Sequence, residues 1–407
     1  MSLRRPSSRP PTTRAGSFTS RPFTQCQNLW LSQRQDRFVA QRWRSIQWIT
    51  PFGLTSIPVR VVREKATGNY LTLSKVLFRG KATRLLSPEM EKRACQEAVQ
   101  QNFRPAARSL SQWVGCKVTP WLVWASVQFH GARRLLQLER TAPAPARSQP
   151  IEVLVSELDS TWIKAQKRGR CGPVQHFPVH LGLHYTGRIR RYGKHRSEAA
   201  SLSRKEVIVS IEPLATFARK FQLQGAHRFK PKHHILLSDG DEGIERQREN
   251  FFPEAIWLLD RWHIAQQIRA FTGCLHQEFQ RIIRPVWKAQ SEEALRALAA
   301  SPLREKRPKE FRRLFGYLLG NREGIDNWHR IPSRLKSGHY PAVKAGSGAV
   351  EKNIETHVNR RFKRQGRSWN PRRAQRLLQL RLLQSQPKAW NRFWKEPAPL
   401  SLKPNPP

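Results

Sequence analysis

Asp159, Asp239 and Glu351 are the residues whose type and setting point to chemistry in this sequence. Asp159 closes the apolar run "IEVLVSELD", Asp239 follows "HHILLS", and Glu351 stands early in "GSGAVEKNIETHVNRRFKRQGRSW". Brought to one place, three carboxylates repel each other unless cations sit between them, and oxygen donors of this kind suit Mg²⁺ or Mn²⁺. Two such ions about 3.5–4 Å apart support an in-line phosphodiester displacement. The plainer account is that acids after strands serve as turn or cap residues, and for any one of the three the two accounts are evenly matched. "SDGDEG" also resembles part of a calcium loop, but the twelve-residue ligand spacing and final Glu of such a loop are missing.

The acids stand in a very basic chain. Its 407 residues carry 74 Lys and Arg against 29 Asp and Glu, a net charge of +45 that points to a polyanionic partner, DNA first. Lys352, Arg360, Arg361, Lys363, Arg364 and Arg367 cluster just beyond Glu351, so they are expected to contact phosphates; a solvated basic helix is the alternative. Trp369 suits stacking on a base, though a tryptophan beside apolar helices is more often core. In "LLDRWHIAQQ", Asp260 and His263 lie one helical turn apart. They can share a metal, position DNA or pair with each other, and structural pairing is the favoured account. No run of 18 or more apolar residues marks a membrane span. Five scattered cysteines without a C-x-x-C pair indicate neither a zinc site nor a disulfide framework and fit a reducing compartment.

Elements must bring these residues together. Residues 1–44, with nine arginines and one acid broken by Pro and Ser, read as a disordered basic tail. A small β module follows over 45–80, with "TSIPVRVV" and "NYLTLSKV" flanking "REKATG" as a hairpin. Residues 81–140 read as helical. Ser87 and Pro88 open one helix, Gly115 closes the next, and Thr119 and Pro120 open a third, a spacing compatible with a helix-turn-helix. "TAPAPARSQP" (141–150) is a linker. Residues 151–260 give the order β-β-β-α-β-α-β, with an acid on the first strand and another leaving the fourth, the plan of a ribonuclease H-like core. The expected fold is thus α/β: a mixed five-stranded sheet flanked by helices. An all-helical insertion over 261–337, the rest of the core with its basic helix over 338–385, and a tail over 386–407 complete the chain.

The stretches "ELDSTWIKAQ", "SDGDEGI", "AIWLLDRWHIAQQI" and "GSGAVEKNIETHVNRRFKRQGRSW" resemble bacterial insertion-sequence DDE transposases of the ISLre type, relatives of the Mutator-like group. "TPFGLTSIPVRVVREKATGNY", "LSPEMEKRACQEAV" and "HLGLHYTG" extend the likeness over about 45–385. The resemblance implies a ribonuclease H-like core, dependence on Mg²⁺ or Mn²⁺, and cut-and-join chemistry at element ends. It places the family's three acids on Asp159, Asp239 and Glu351, and its aspartate–histidine pair on Asp260 and His263. This chain has "LDS" where the family usually has "VDG", and Asp241 and Gly243 where an alanine and an aromatic are common. The expected protein is a DNA transposase working as a homo-oligomer on DNA in the cytoplasm, at the nucleoid. A non-catalytic nucleic-acid-binding protein or decayed copy, and a ribonuclease H-like structure-specific nuclease, are the alternatives.

Overall fold

The computed structural model describes residues 16–73, 84–140, 149–166, 174–192, 198–336, 341–344, 346–364 and 367–396. The chain divides into two compact units, Met1–Gln137 with Leu383–Pro407, and Leu138–Leu382.

In the first unit, strands β1 (Phe38–Thr50), β2 (Gly53–Glu64), β3 (Tyr70–Thr72) and β4 (Arg84–Leu86) form a sheet in the order β3-β2-β1-β4. The expected hairpin is present: Val61 pairs with Thr72 and Arg63 with Tyr70. The disordered tail expected over 1–44 is corrected. Residues 1–15 lie outside the described residues, but Gly16–Ser32 is a helix and β1 begins at Phe38. Phe23, Trp30 and Leu31 recur at helical spacing and pack on Ile46, Ile57 and Val59. Gln27 between them is buried and ties helix to sheet, donating to Pro58 O at 3.0 Å and accepting from Arg60 N at 2.7 Å. Arginine density had masked this apolar face.

Three helices follow, at Pro88–Gln100, Phe103–Val114 and Pro120–Arg140. Their expected signals operate: Ser87 Oγ accepts from Met90 N, Gly115 is left-handed at φ 66°, and Thr119 Oγ1 accepts from Leu122 N. The expected tail over 386–407 is likewise helical from Pro387 to Lys395, and residues 397–407 lie outside the described residues. Trp390 and Phe393, three apart and buried, give that helix its inner face. The Arg133 guanidinium lies 4.2 Å from the Phe393 ring centre and donates to Phe393 O at 2.6 Å.

The second unit contains β5 (Gln149–Lys164), β6 (His176–Tyr185), β7 (Arg188–Tyr192), β8 (Glu198–Leu202), β9 (Glu206–Ser210), β10 (Phe229–Ser238) and β11 (Ile256–Leu259). Five of them make a mixed sheet in the order β11-β10-β5-β6-β9. β5 runs parallel to β10, and β10 to β11, whereas β5–β6 and β6–β9 are antiparallel. The first and fourth strands of the expected order are therefore neighbours. β7 and β8 form a separate hairpin that the sequence pattern did not announce. Most of the 141–150 linker, residues 141–148, lies outside the described residues.

Helices Leu214–Arg228 and Glu242–Phe251 cover one face of the sheet, burying Phe217 and Phe221 against Leu158 and Leu236. Each such side chain contributes about 1.5–3 kcal/mol on burial. The helical segment expected over 261–337 is helical from Arg261 to Lys336, around a core of its own that starts from Trp257 and Leu259 of β11.

A buried polar chain crosses the three central strands. His234 Nε2 lies 2.9 Å from Ser156 Oγ, which lies 2.8 Å from His184 Nδ1, and His184 Nε2 lies 2.9 Å from Phe221 O. The carbonyl can only accept, so His184 carries its proton on Nε2; Ser156 then donates to His184 and accepts from His234. Burial lowers both imidazoles, His184 to about 3 and His234 to about 4, so both are neutral. A side chain at Gly225 would come within 2.9 Å of the His184 ring, so that helix position has room only for glycine.

Candidate active site

Asp159 and Asp239 meet through strand register. The parallel pairs run from Phe229–Gln149 to Leu237–Glu157, a constant offset that sets Asp239, just beyond the end of β10, level with Asp159. Leu158 and Leu236 face the helices on one side of the sheet, so by alternation Glu157, Asp159, Leu237 and Asp239 face the other. β5 does not end at Asp159, as its composition suggested. It continues to Lys164 because Ser160–Lys164 pair with β6 and Lys164 O accepts from Trp369 N at 2.9 Å.

Glu351 comes to the same face on helix Gly348–Ile354. Glu157 Oε2 accepts from Val350 N at 2.7 Å, which fastens the residue before Glu351 to the strand position two before Asp159. His263, in the first turn of helix Arg261–Thr272, approaches from a third direction, its Nε2 at 3.1 Å from Glu351 Oε1. Burial and the neighbouring Asp239 push the Asp159 carboxyl up to about 7, with Glu351 adding to the rise and His263 opposing it. Burial raises Asp239 as well, against the pull of His263. The four groups share one electrostatic neighbourhood.

The acids divide by what they already do. Asp241 caps helix Glu242–Phe251, accepting from Gly243 N and Ile244 N. Asp260, 1% exposed, accepts from Trp262 N and His263 N on one oxygen and from Ser347 N and Ser347 Oγ on the other. These two are cap residues. Asp159 and Asp239 are each half-buried. Each gives an oxygen to a nearby backbone amide, that of Ser160 or Asp241, and neither caps a helix.

The tightest cluster of possible metal donors among the described residues is Asp260, His263 and Glu351, with ligand atoms within 4.8 Å of one another. Asp260 has four donors on its two oxygens, so His263 and Glu351 are the members with capacity to spare. The favoured Asp260–His263 side-chain pairing is revised: their closest approach is 3.8 Å, beyond a hydrogen bond, and His263 turns to Glu351 instead.

Residues 27–395 match the description "Uncharacterised protein family (UPF0236)". The chain belongs to this family. Among solved structures, a UPF0236 chain of this sequence is similar to the "Drosophila P element transposase strand transfer complex", at 8% identity and a TM-score of 0.32, over 78% of this chain and 96% of that one. No curated protein matches.

The cations expected to hold phosphate are placed unequally in the UPF0236 chain. Lys352, Arg360, Lys363 and Arg364 are exposed, and Glu355 pairs with Arg364 at 2.6 Å and Arg360 at 3.4 Å. Arg361 is corrected: it is 1% exposed, its guanidinium 4.9 Å from the centre of the Trp369 ring, so it belongs to the interior. Arg367 is half-buried and donates to Arg361 O at 2.6 Å. Trp369 is a packing residue, donating to Phe362 O and lying against the Phe362 ring. The long basic helix is broken: it passes through a π-helical turn at Glu355–Asn359 and stops at Phe362.

Two residues in contact with the site escaped the sequence reading. Glu157 was legible in principle, as an acid two places before Asp159 and therefore on its face. Tyr317, whose hydroxyl donates to Asp239 O at 2.9 Å, comes from helix Pro308–Gly320 and carried no signal. Gly240 completes that turn at φ +83°, where a side chain would meet Asn321 Oδ1 at 2.5 Å.

Proposed function

We propose that this UPF0236 protein is a DNA transposase of the ISLre type, with a ribonuclease H-like core and Asp159, Asp239 and Glu351 as its catalytic acids. The observation that carries the reading is the register between β10 and β5, which levels Asp239 with Asp159 on the sheet face that receives Glu351.

The donor set fits Mg²⁺ or Mn²⁺: three carboxylates supply hard oxygen, and two of them are raised by burial and, for Asp159, by Asp239, a cost that a cation would relieve. Such ions, when bound, stabilise charge on the attacking and leaving oxygens of a phosphodiester. The protein's own residues supply the remainder. Asp159 and Asp239 come from a rigid sheet, Glu351 from a separately docked helix, and His263 lies against Glu351. Lys352, Arg360, Lys363 and Arg364 contact the backbone beside the scissile bond, and the helices between Pro88 and Arg140 recognise the element end.

The test is Asp239→Asn on DNA carrying an element end. Mg²⁺-dependent nicking is expected to vanish, with DNA affinity unchanged or higher because a buried negative charge is removed. Nicking at the wild-type rate would sink the assignment.

A further inference from the structure

The helix that carries Glu351 has seven residues, too few to be stable alone. Its first amides need partners beyond the helix's own ladder, and the side chain of its N-cap residue, Ser347, makes no capping bond to them. Two buried carboxylates from the sheet do this work instead. Asp260, just after β11, accepts from Ser347 N at 2.7 Å and from the Ser347 hydroxyl. Glu157 of β5, 0% exposed, accepts from Val350 N at 2.7 Å on one oxygen and from the buried Tyr185 hydroxyl at 2.7 Å on the other. The Val350 amide also reaches Ser347 O at 2.9 Å, so the carboxylate reinforces a first turn that would otherwise rest on a short local bond.

We infer that Glu157 is a positioning residue: with Asp260 it clamps the Glu351 helix onto the sheet and sets where Glu351 stands relative to Asp159. This deepens the reading of Asp159, Asp239 and Glu351 as a metal-holding set and rests on it. A buried carboxylate is costly unless its oxygens are satisfied. Glu157 spends its two on the strand that carries the first acid's neighbour, β6, and on the helix that carries the third acid. A merely stabilising role would be served as well by an apolar side chain; a fixed separation between two acids requires a directional bond.

The experiment compares wild type with Glu157→Leu/Tyr185→Phe. Replacing both partners of the Tyr185 bond by apolar groups limits the stability loss and leaves Val350 without its carboxylate. Tyr185→Phe alone is the control. Glu157→Gln is the conservative variant, since its amide oxygen can face Val350 while its NH₂ faces Tyr185. Three quantities are read: amide exchange over 347–352, Mn²⁺ binding followed by the free-ion paramagnetic resonance signal, and Mn²⁺-dependent nicking. The double variant is expected to exchange faster and to bind Mn²⁺ about 10–100-fold more weakly, with Glu157→Gln restoring most of both. Unchanged exchange overturns the clamp. Faster exchange with wild-type Mn²⁺ affinity overturns the positioning role.

If the double variant melts, Glu157→Asp takes its place, its charge kept and its reach to Val350 shortened by a methylene. If wild type and Glu351→Gln bind Mn²⁺ alike, the metal-holding reading itself has failed and takes this inference with it. That result is seen before any Glu157 variant is made.

Discussion

At the scale of single residues, the acids near the site differ in whether their hydrogen-bonding capacity is already committed. Asp241 and Asp260 cap helices, whereas Asp159 is held up at about 7 by burial and by Asp239. The sign of the resulting pH dependence follows. An unfolded aspartate titrates near about 3.9, so between there and about 7 the folded state keeps a proton that the unfolded chain has lost. Metal-free stability from this group therefore falls as pH rises through that window and levels off above it. A divalent ion competes with the same proton, so its binding strengthens with rising pH, by up to about tenfold per unit, and flattens above about 7. Mn²⁺ titrations at several pH values between 5.5 and 8 are expected to show that bend in wild type and a shallower one in Asp159→Asn. A wild-type affinity independent of pH would mean that Asp159 does not hold the ion.

Elements place these residues, and β5 carries the heaviest duty. Its even positions bury Leu158 and the Ser156 hydroxyl, and its odd positions present Glu157 and Asp159. Ser156→Ala removes the shared partner of two buried imidazoles and is expected to cost about 1–3 kcal/mol, measured by denaturant unfolding at pH 7.5. The histidines have the opposite pH sign from Asp159. Their folded values, about 3 and about 4, lie below the ordinary 6.5, so the stability they hold is full above 6.5 and drains as pH falls toward 4. His184→Asn, if it folds, is expected to flatten the acid limb of the stability profile; an unaltered limb would show that these rings do not control it.

Much of this was legible in the chain. The acid that follows β10, the Ser87 and Thr119 caps and the β2–β3 hairpin follow from local pattern, and the adjacency of the first and fourth strands from the expected fold plan. What escaped depends on long-range pairing. The extension of β5 needs the segment at Trp369, the Glu157 clamp needs Val350, and Tyr317 reaches Asp239 from another helix. The buried Arg361 looks like its exposed neighbours because composition cannot tell which side of a short helix faces in.

For the molecule as a whole, a net charge of +45 makes association with a polyanion strongly salt-dependent if the cations face the ligand. DNA affinity is expected to fall by orders of magnitude between about 50 and 200 mM salt, with a logarithmic slope of about −0.9 for each phosphate neutralised on duplex DNA. The structure divides the basic stretch into cations that can contribute to that slope and one that cannot. Arg364 is exposed and pairs with Glu355 at 2.6 Å; Arg361 is internal, and burial lowers its guanidinium to about 9. Arg364→Ala is therefore expected to weaken binding and reduce the slope by about 1. Glu355→Gln should strengthen binding, because it frees Arg360 and Arg364 from a competing carboxylate. Arg361→Ala should lower the melting temperature, through lost packing on Trp369, and leave the slope of the remaining folded protein as in wild type. A slope lowered equally by Arg361→Ala and Arg364→Ala would place both on the DNA face and contradict the burial of Arg361.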